Sequence, residues 1–407
     1  MKRFLFAVLC AIPEMLFGQN TISGTLLDKK TQEPLPYATV YIDGTTKGTA
    51  TDNLGRFTLK NVPVPSTVVF SFVGYETEAI VLENNLGELL IELNPYKELP
   101  QVDIDGEERK IHLDYFSNNF LGEDRWGTHA TIKNDEVLFF DSKSQGRIEF
   151  RSNNLNGLLE NYDPNASNSA MTLNLKNVTS LSVKKRTFTS FKAWANGPLI
   201  IDLPLLGYEL YVDLVSFTVQ EDQWGWETLC EMLGYFYFKP YDTEKASQIK
   251  KFEKNRKLAY YGSSQHFLRS WSQGCLRENG YAIVTPSSDS ILMDISAPES
   301  MKLIQMEPVD MGRYTKTDGD VTQVSGLKGQ RLEILYFHKH NGEPVILKKG
   351  EDYPDVAYSV SEIFFKQDTC IFLNDGTVID NDIVFQGDLC DKKVGSFLPR
   401  DYDPDED

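Results

Sequence analysis

Metal-assisted hydrolysis is the first chemistry to test, because its ligands leave a recognisable spacing in a sequence. Catalytic zinc takes three protein ligands, commonly two histidines and a carboxylate, and keeps one coordination position open. The chain has five histidines and no HExxH sequence. His338 and His340 would share one face of a strand and are a candidate metal pair, but the sequence indicates no third ligand. We therefore predict no cofactor and no zinc-dependent peptidase chemistry.

The sequence also shows no motif typical of other hydrolase classes. The nucleophile elbow GxSxG of serine hydrolases does not occur at either Gly262-Ser263 or Gly395-Ser396. Cys275 follows His266 by nine residues in a helical segment, about 13 Å along the axis, which is too far for proton transfer. With 59 acidic residues, no carboxylate pair can be nominated for glycoside cleavage. We predict no catalytic residue, and a hydrolase of glycans or peptides stays open as the alternative.

Six side chains are candidates for binding rather than catalysis. They comprise two residues of a lysine run, a histidine–arginine pair three residues apart and two tryptophans, namely Lys250, Lys254, His266, Arg269, Trp224 and Trp226. A lysine run either meets an anionic partner, lipid or glycan or is a solvated helix face paired with the chain's own carboxylates. The histidine–arginine pair either holds an anion or packs inside the fold. The tryptophans either stack on a sugar or fill a core.

The overall charge limits the class of partner. The chain has 41 lysines and arginines against 59 aspartates and glutamates, which gives a formal net charge of −18. Affinity for nucleic acid comes from cations that neutralise phosphates, so we predict that the chain as a whole binds no nucleic acid. The acidic charge does not by itself choose a partner, and we predict a cell-envelope protein or polymer from the export signal and the family resemblance described below.

The N-terminus has the three parts of a signal peptide. Lys2-Arg3 is basic, Phe4 to Ile12 is apolar, and Leu16-Phe17-Gly18 offers a cleavage site. The apolar run is too short to span a bilayer, and no later segment approaches the roughly 20 apolar residues of a membrane helix. We predict a signal peptide over residues 1–18, export to the periplasm, outer membrane or cell surface, and no transmembrane segment in the mature chain.

Four cysteines remain after the predicted cleavage, namely Cys230, Cys275, Cys370 and Cys390. An oxidising compartment permits two disulfides, and four cysteines allow three connectivities. Cys370 and Cys390 flank a hairpin candidate, so a bridge between them is conceivable, whereas reduced thiols are the alternative. No CxxC spacing occurs, which argues against a structural zinc site.

The region 20–95 alternates with the period of a β-strand. Ile22, Gly24 and Leu26 would point to one face of a first strand, and turn residues such as Asp43-Gly44 separate the segments that follow. Six or seven short strands with turns between them predict a small antiparallel sandwich.

The order of these motifs resembles a known family. The matching residues are Gly24, Asp28, Pro34-Leu35, Ala38-Thr39-Val40, Gly44-Thr45, Gly48, Thr51-Asp52, Gly55, Phe57 and Val73-Gly74-Tyr75. Together they look like the carboxypeptidase-regulatory-like domain, found at the front of many Bacteroidota envelope proteins that include TonB-dependent transporters. The resemblance implies a seven-stranded, prealbumin-like β-sandwich over residues 20–95, used as an accessory module without catalytic residues.

The remaining chain predicts a second, β-rich domain. Residues 96–115 are polar and proline-containing and predict a linker, residues 116–398 form the uncharacterised domain, and the acidic tail 399–407 predicts disorder. The fold class is therefore mainly β or α+β, with the sandwich followed by a β-rich domain that contains a helical insert.

Local signals place elements inside this second domain. Residues 242–279 predict two helices that separate at Gly262-Ser263, with Asp242-Thr243 as a cap. Asn341-Gly342 and Asn374-Asp375-Gly376 predict hairpin turns.

A second resemblance covers the C-terminal domain. Arg256 to Ser263, His266 to Ser270 and Gly395 to Tyr402 are similar to segments of uncharacterised Bacteroidota proteins that carry the same front domain. It implies no catalytic residue.

These observations favour a non-catalytic, exported binding or scaffold protein of the cell envelope. Two alternatives stay open: an envelope hydrolase of glycans or peptides, and an accessory component of an outer-membrane transport or secretion complex.

Overall fold

The computed structural model describes residues 20–83, 87–96, 106–149, 184–221, 227–285, 307–348, 350–351, 353–379 and 382–405. The predicted signal peptide and the pair Trp224 and Trp226 lie outside these residues. The chain divides into two compact units: an N-terminal unit of Met1–Asp43 and Lys47–Lys97, and a C-terminal unit of Glu98–Asp407 that also includes Gly44–Thr46. As the sequence predicts, the protein is mostly β, with an N-terminal sandwich and a β-rich second unit that contains helices.

The N-terminal unit is a seven-stranded sandwich. Its strands are β1 (Ile22–Asp28), β2 (Thr39–Ile42), β3 (Gly48–Ala50), β4 (Arg56–Leu59), β5 (Ser66–Ser71), β6 (Glu78–Leu82) and β7 (Glu88–Leu93). One sheet has the order β4-β1-β7 and the other has the order β3-β2-β5-β6. Every second residue of β1 is buried, so the period-two pattern marks the face that contacts the core.

One pairing differs from the antiparallel expectation. Strand β1 pairs β4 antiparallel but pairs β7 parallel. The difference arises because β7 enters this sheet after β6, a strand of the opposite sheet, and not through a hairpin with β1. Gly24 lies between the two neighbouring strands, where a Cβ atom would stand 2.2 Å from the Leu89 carbonyl oxygen.

The C-terminal unit begins with a helix packed on a six-stranded sheet. Its elements are α1 (Gly106–Leu121), β8 (Thr131–Ile132), β9 (Leu138–Glu149), β10 (Lys184–Ala195), β11 (Leu199–Leu203), β12 (Tyr208–Glu221) and β13 (Glu227–Pro240). The order is β8-β11-β12-β10-β9, and β13 pairs the other edge of β12. Phe116 and Phe120 of α1 are buried in the same core as Phe217 of β12.

Helix α1 begins inside the segment 96–115 that the sequence predicts as a linker. The polar composition of this segment obscures its helical pattern in the sequence. Phe116 and Phe120 lie four residues apart, and their rings stack with 4.6 Å between centroids. Both rings also make edge contacts with Phe217. Burial of this narrow aromatic stripe stabilises a helix whose composition alone is undistinguished.

Two helices connect the six-stranded sheet to the rest of the unit. They are α2 (Ala246–Tyr260) and α3 (Ser264–Ser272), and they separate at Gly262-Ser263 as predicted. Ser263 caps α3, because its hydroxyl accepts a hydrogen bond from the backbone N–H of His266 at 3.1 Å. The cap of α2 is Lys245 rather than the predicted Asp242-Thr243.

Two further sheets complete the unit. Their strands, together with a last short helix, are β14 (Tyr281–Thr285), β15 (Glu307–Pro308), β16 (Thr315–Asp318), β17 (Val321–Ser325), β18 (Arg331–Phe337), β19 (Tyr358–Phe365), β20 (Thr369–Leu373), β21 (Val378–Ile379), β22 (Ile383–Gly387) and α4 (Asp388–Asp391). The orders are β15-β14-β18-β19-β22 and β16-β17-β20-β21. Both faces of β18 are covered, since Ile334 belongs to one buried cluster and Leu335 to another.

The two predicted turns are present. Around Asn341-Gly342 the chain reverses, with the Gly342 N–H bonded to the Lys339 carbonyl at 2.9 Å. Asn374-Asp375-Gly376 joins β20 to β21, and the Leu373 N–H bonds to the Thr377 carbonyl at 2.8 Å.

Residues 399–405, the described part of the predicted acidic tail 399–407, are packed rather than disordered. Tyr402 is buried, and the Arg269 guanidinium donates hydrogen bonds to the carbonyl oxygens of Arg400 and Tyr402. Just before it, a Cβ atom on Gly395 would stand 2.6 Å from the Leu121 carbonyl oxygen, so this segment lies against the end of α1. The disorder prediction was based on side-chain composition, whereas the segment is held through its backbone carbonyl oxygens.

The four cysteines, all of which the structure describes, form no disulfide with one another. Cys370 is buried and Cys390 is exposed, so the conceivable bridge between them is absent. Among the described helices, none combines the length and apolar character needed to cross a bilayer.

We expect Gly24→Ala to destabilise the sandwich by roughly 1–3 kcal/mol, the usual cost of overpacking. The added methyl group would meet the Leu89 carbonyl oxygen and the Phe57 ring, so the pairing of β1 with β7 would have to open. Urea unfolding of the full chain, followed by limited proteolysis to distinguish the two units, measures the effect. Gly87→Ala is the matched control, because nothing lies within 4 Å of its Cβ position. Equal stability of the two variants would contradict the prediction.

Candidate functional site

A cleft of about 670 Å³ opens in the C-terminal unit. Three segments line it: helix α2 and the residues just after it, the loop that follows α1, and the turn that follows β18. The lining residues are Arg125, Trp126, Lys250, Glu253, Lys254, Lys257, Leu258, Tyr261, His340, Asn341 and Glu343. We call this feature the basic cleft.

Helix α2 provides the cationic wall. Lys250, Lys254 and Lys257 recur at helical spacing, so their amines follow one ridge about 10 Å long. None of the three amines forms an ion pair with any carboxylate that the structure describes. Among the residues that the structure describes, these three lysines therefore have no carboxylate partner.

The loop after α1 provides the second wall. Asp124 shapes it, because its Oδ1 accepts a hydrogen bond from the backbone N–H of Trp126 at 2.9 Å. The Arg125 guanidinium lies 5.1 Å from the centroid of the Trp126 ring and donates a hydrogen bond to Asn255 Oδ1 at 3.3 Å. Since Asn255 is a buried residue of α2, this contact links the loop to the helix.

The turn after β18 provides the third wall. Glu343 accepts a hydrogen bond from the Lys339 amine at 2.9 Å, and this bond lowers the pKa of the Glu343 carboxyl. Burial, followed by the negative charge of Glu343, raises the pKa of Tyr261. The turn thus contributes an ionised carboxylate, and Tyr261 contributes a protonated phenol.

The balance of charge inside the cleft is opposite to that of the chain. Four cations, from Arg125 and the three lysines, face two carboxylates, from Glu253 and Glu343. The difference is +2 with His340 neutral, in a chain of net charge −18. The cleft can therefore attract an anion electrostatically, and its carboxylates and amide can also accept or donate hydrogen bonds.

His266 lies outside the cleft, in a buried aromatic cluster. Its ring contacts those of Tyr260, Tyr261, Tyr281 and Tyr336 at centroid distances of 4.9 to 5.8 Å. Its Nδ1 accepts the Gly262 N–H at 3.2 Å, so the neutral ring carries its proton on Nε2. Burial lowers the pKa of His266 to about 3. The imidazole is a packed, neutral group.

Arg269 forms hydrogen bonds with the backbone of distant segments. Its guanidinium donates to the carbonyl oxygens of Asp375 at 3.1 Å, Arg400 at 2.5 Å and Tyr402 at 2.7 Å. These three contacts hold the C-terminal segment and the β20–β21 turn. The predicted pair of His266 with Arg269 therefore does not converge on a common open site.

The two candidate metal ligands are not paired on a strand, because β18 ends at Phe337. His338 stacks on Tyr336 and its Nδ1–H donates to the Lys339 carbonyl at 2.9 Å, whereas His340 lines the basic cleft. Within the described residues, no three His, Cys, Asp or Glu side chains form a group that could hold a metal ion. Trp224 and Trp226 lie outside the described residues.

The structure thus brings together Lys250, Lys254 and His340, three of the residues singled out from the sequence. It adds Arg125 and Trp126, which sequence reasoning missed. No local signal could have found them, since they lie more than a hundred residues before α2 in the chain. Tertiary contacts place them at the cleft: Arg125 bonds to Asn255 of α2, and Trp126 packs against the core of the unit.

The sandwich has a second, smaller groove of about 440 Å³. It lies along the edge strands β6 and β7, and its lining includes Ile80, Leu90 and Glu92. Leu90 is 65% exposed, so an apolar side chain faces solvent at this edge.

We expect acidification to destabilise the C-terminal unit through His266. The unfolded histidine titrates near pH 6.5 and the folded one near 3, so the unfolded state binds more protons as pH falls between these values. In that window the unfolding free energy should fall by about 1.4 kcal/mol per pH unit from this group alone. His266→Asn keeps an acceptor near the Nδ1 position and removes the titration. Unfolding at pH 7 and at pH 5 should show a smaller gap between variant and wild type at the lower pH, and parallel pH profiles would contradict the assignment.

The comparisons with known proteins identify one domain family at the front of the chain. Residues 22–102 match the family model of the CarboxypepD_reg-like domain. Over 88 residues the chain is 32% identical to TonB-dependent receptor P39 of Formosa agariphila, a match that covers 22% of this chain and 8% of the receptor. The chain therefore spans a small fraction of the length of that relative.

Two solved structures were also matched. One is a putative membrane-associated protein of unknown function from Bacteroides fragilis, 13% identical, with 54% of this chain and 95% of that chain covered and a TM-score of 0.16. The other is a 9R-lipoxygenase from Cyanothece, 13% identical, with 67% and 51% covered and a TM-score of 0.17. At these scores neither structure supports an assignment. The family match over residues 22–102 confirms the resemblance seen in the motif order: the chain contains a CarboxypepD_reg-like domain.

Proposed function

We propose that this protein is a non-catalytic, exported binding or scaffold protein of the Bacteroidota cell envelope that holds its partner in the basic cleft. The envelope location is supported by the CarboxypepD_reg-like domain and by the similarity to a TonB-dependent receptor. The binding role is supported by the basic cleft, which lies in the C-terminal unit.

The observation that carries this proposal is the set of unneutralised lysines in a concave site. Lys250 and Lys254 are exposed and Lys257 is half-buried, and all three line the basic cleft, whose other two walls come from the loop after α1 and the turn after β18. Their lack of described ion pairs leaves their charge available to a partner. Charge held in a concave surface attracts an anionic partner more effectively than the same charge on an open surface.

The chemistry of the cleft favours binding over hydrolysis. A glycosidase places two carboxylates across a scissile bond, and a cysteine or serine hydrolase needs an accessible base beside its nucleophile. In the cleft, cations outnumber carboxylates, and its one histidine, His340, has no cysteine or serine beside it among the lining residues. His266 is enclosed by four tyrosines and is out of reach of a substrate.

Charge reversal on α2 tests this proposal. Immobilised full-length protein is exposed to solubilised envelope material as wild type and as Lys250→Glu/Lys254→Glu. Exposed ion contacts contribute about 0.2–1 kcal/mol each, and reversal adds repulsion, so we expect retention to weaken about tenfold. Added salt should weaken the wild type in the same direction.

Lys245→Glu/Lys251→Glu is the matched control, because both lysines are exposed and neither lines the cleft. It changes the net charge equally and should retain material like the wild type. Equal loss in both double variants would show nonspecific charge attraction and contradict the proposal. Release of new reducing ends or amino termini above that of heat-inactivated protein would favour the envelope hydrolase.

A second candidate function is an accessory role in an outer-membrane transport or secretion complex. The chain is similar to a TonB-dependent receptor over 88 residues, and its N-terminal sandwich exposes an apolar edge at Leu90. A photo-crosslinking residue at Leu90 should then capture a transporter component in cells, whereas one at Leu54, also exposed, should not. Identical crosslinks from both positions, or none, would count against this role.

A further inference from the structure

We propose that the basic cleft recognises an acidic saccharide, a sugar bearing carboxylate, sulfate or phosphate groups. This inference rests on the proposed function and specifies the chemical class of its partner. It follows from the combination of three kinds of group in one cleft: cations, hydrogen-bond acceptors, and apolar or aromatic surface.

The cations require an anionic group in the ligand. Lys254 and Lys257 on one wall and Arg125 on another bring positive charge to the cleft from two directions. An anion held between them would make charge-assisted hydrogen bonds, which are stronger than neutral ones. A neutral polymer would leave these charges uncompensated, so it is disfavoured.

The hydrogen-bond acceptors that line the cleft indicate that the ligand also carries hydroxyl groups. Glu253 and Glu343 line the same cleft as the lysines, and Glu343 is kept ionised by the Lys339 amine. A ligand made only of anionic groups, such as an acidic peptide or a polyphosphate, would meet repulsion at both carboxylates. A sugar supplies hydroxyl donors to these oxygens and to the side-chain carbonyl of Asn341, while its acid groups contact the lysines.

The remaining surface suits the carbon faces of a sugar ring. Leu258, Tyr261 and Trp126 are half-buried, and the aromatic side chains combine an apolar ring with a polar group. The cleft is concave, about 670 Å³ in volume, and sized for a few sugar units. A bilayer would instead be met by a basic face with apolar side chains projecting outward.

The test compares ligands that differ in one property at a time. Binding of the full chain is measured by titration calorimetry with oligogalacturonate, a sulfated dextran oligosaccharide, neutral dextran oligosaccharide and oligoglutamate. Vesicles of anionic phospholipid form the lipid arm, measured by sedimentation. We expect at least one acidic saccharide to bind about tenfold or more tightly than neutral dextran and oligoglutamate, which separates recognition from plain charge attraction.

Two variants and one control distinguish the role of the cations from that of the hydrogen-bond acceptors. Lys250→Gln/Lys254→Gln should weaken acidic saccharide about tenfold, while Lys245→Gln/Lys251→Gln should leave it unchanged. Glu253→Gln removes a negative charge, so it should strengthen oligoglutamate and weaken the saccharide. Circular dichroism and thermal unfolding confirm that each variant is folded.

The outcomes separate this inference from the proposed function. Oligoglutamate or vesicles bound as tightly as the best saccharide would overturn the inference and leave an anionic partner of another class. Capture of envelope material through Lys250 and Lys254, without affinity for any acidic saccharide, would also overturn it. If the protein neither captured envelope material through Lys250 and Lys254 nor bound an acidic saccharide, the proposed function itself would be refuted.

Discussion

The basic cleft depends on how a highly charged helix is attached to the sheet beneath it. Helix α2 has little apolar surface, and Ile249 is 39% exposed. Polar side chains help to attach it: Asn255 donates to the Leu205 carbonyl at 2.7 Å, and Arg256 donates to the Leu206 carbonyl at 2.9 Å. These bonds satisfy carbonyls at the turn before β12, and they add to the apolar contacts that the helix makes through Phe252 and the buried Ala259. Lys250 and Lys254 are exposed on the same helix.

The end of the same helix shows a related arrangement. The Lys392 amine donates to the carbonyl oxygens of Ala259 and Tyr261, which lie at the C-terminus of α2 and lack intrahelical partners. Burial lowers the pKa of Lys392 to about 8, and the positive charge lies where the helix dipole favours it. The position of Tyr261 at the cleft thus depends on a residue more than a hundred positions away in sequence.

Local patterns predicted much of the fold but only part of the site. Alternation identified β1, glycine and asparagine pairs identified turns, and Gly262-Ser263 separated two helices, because each signal acts within a few residues. Residue types alone misdirected the assignment of His266 and Arg269, since burial and backbone contacts, which decide their roles, are set by distant segments. The lysines of α2 were recognisable, but the loop at Arg125 was not, because only tertiary packing brings it near.

The contacts of Arg269 and Gly395 also bear on the order in which the C-terminal unit can form. The carbonyl oxygen of Arg400 accepts a hydrogen bond from the Arg269 guanidinium of α3. Gly395 lies against the end of α1, which precedes it by almost three hundred residues in the sequence. Such distant pairings demand loop closure over most of the unit, which slows folding. A nascent chain would therefore keep α1 and α3 incompletely packed until its last segment is available. The core of the unit would therefore be completed only after residues near 400 have been synthesised.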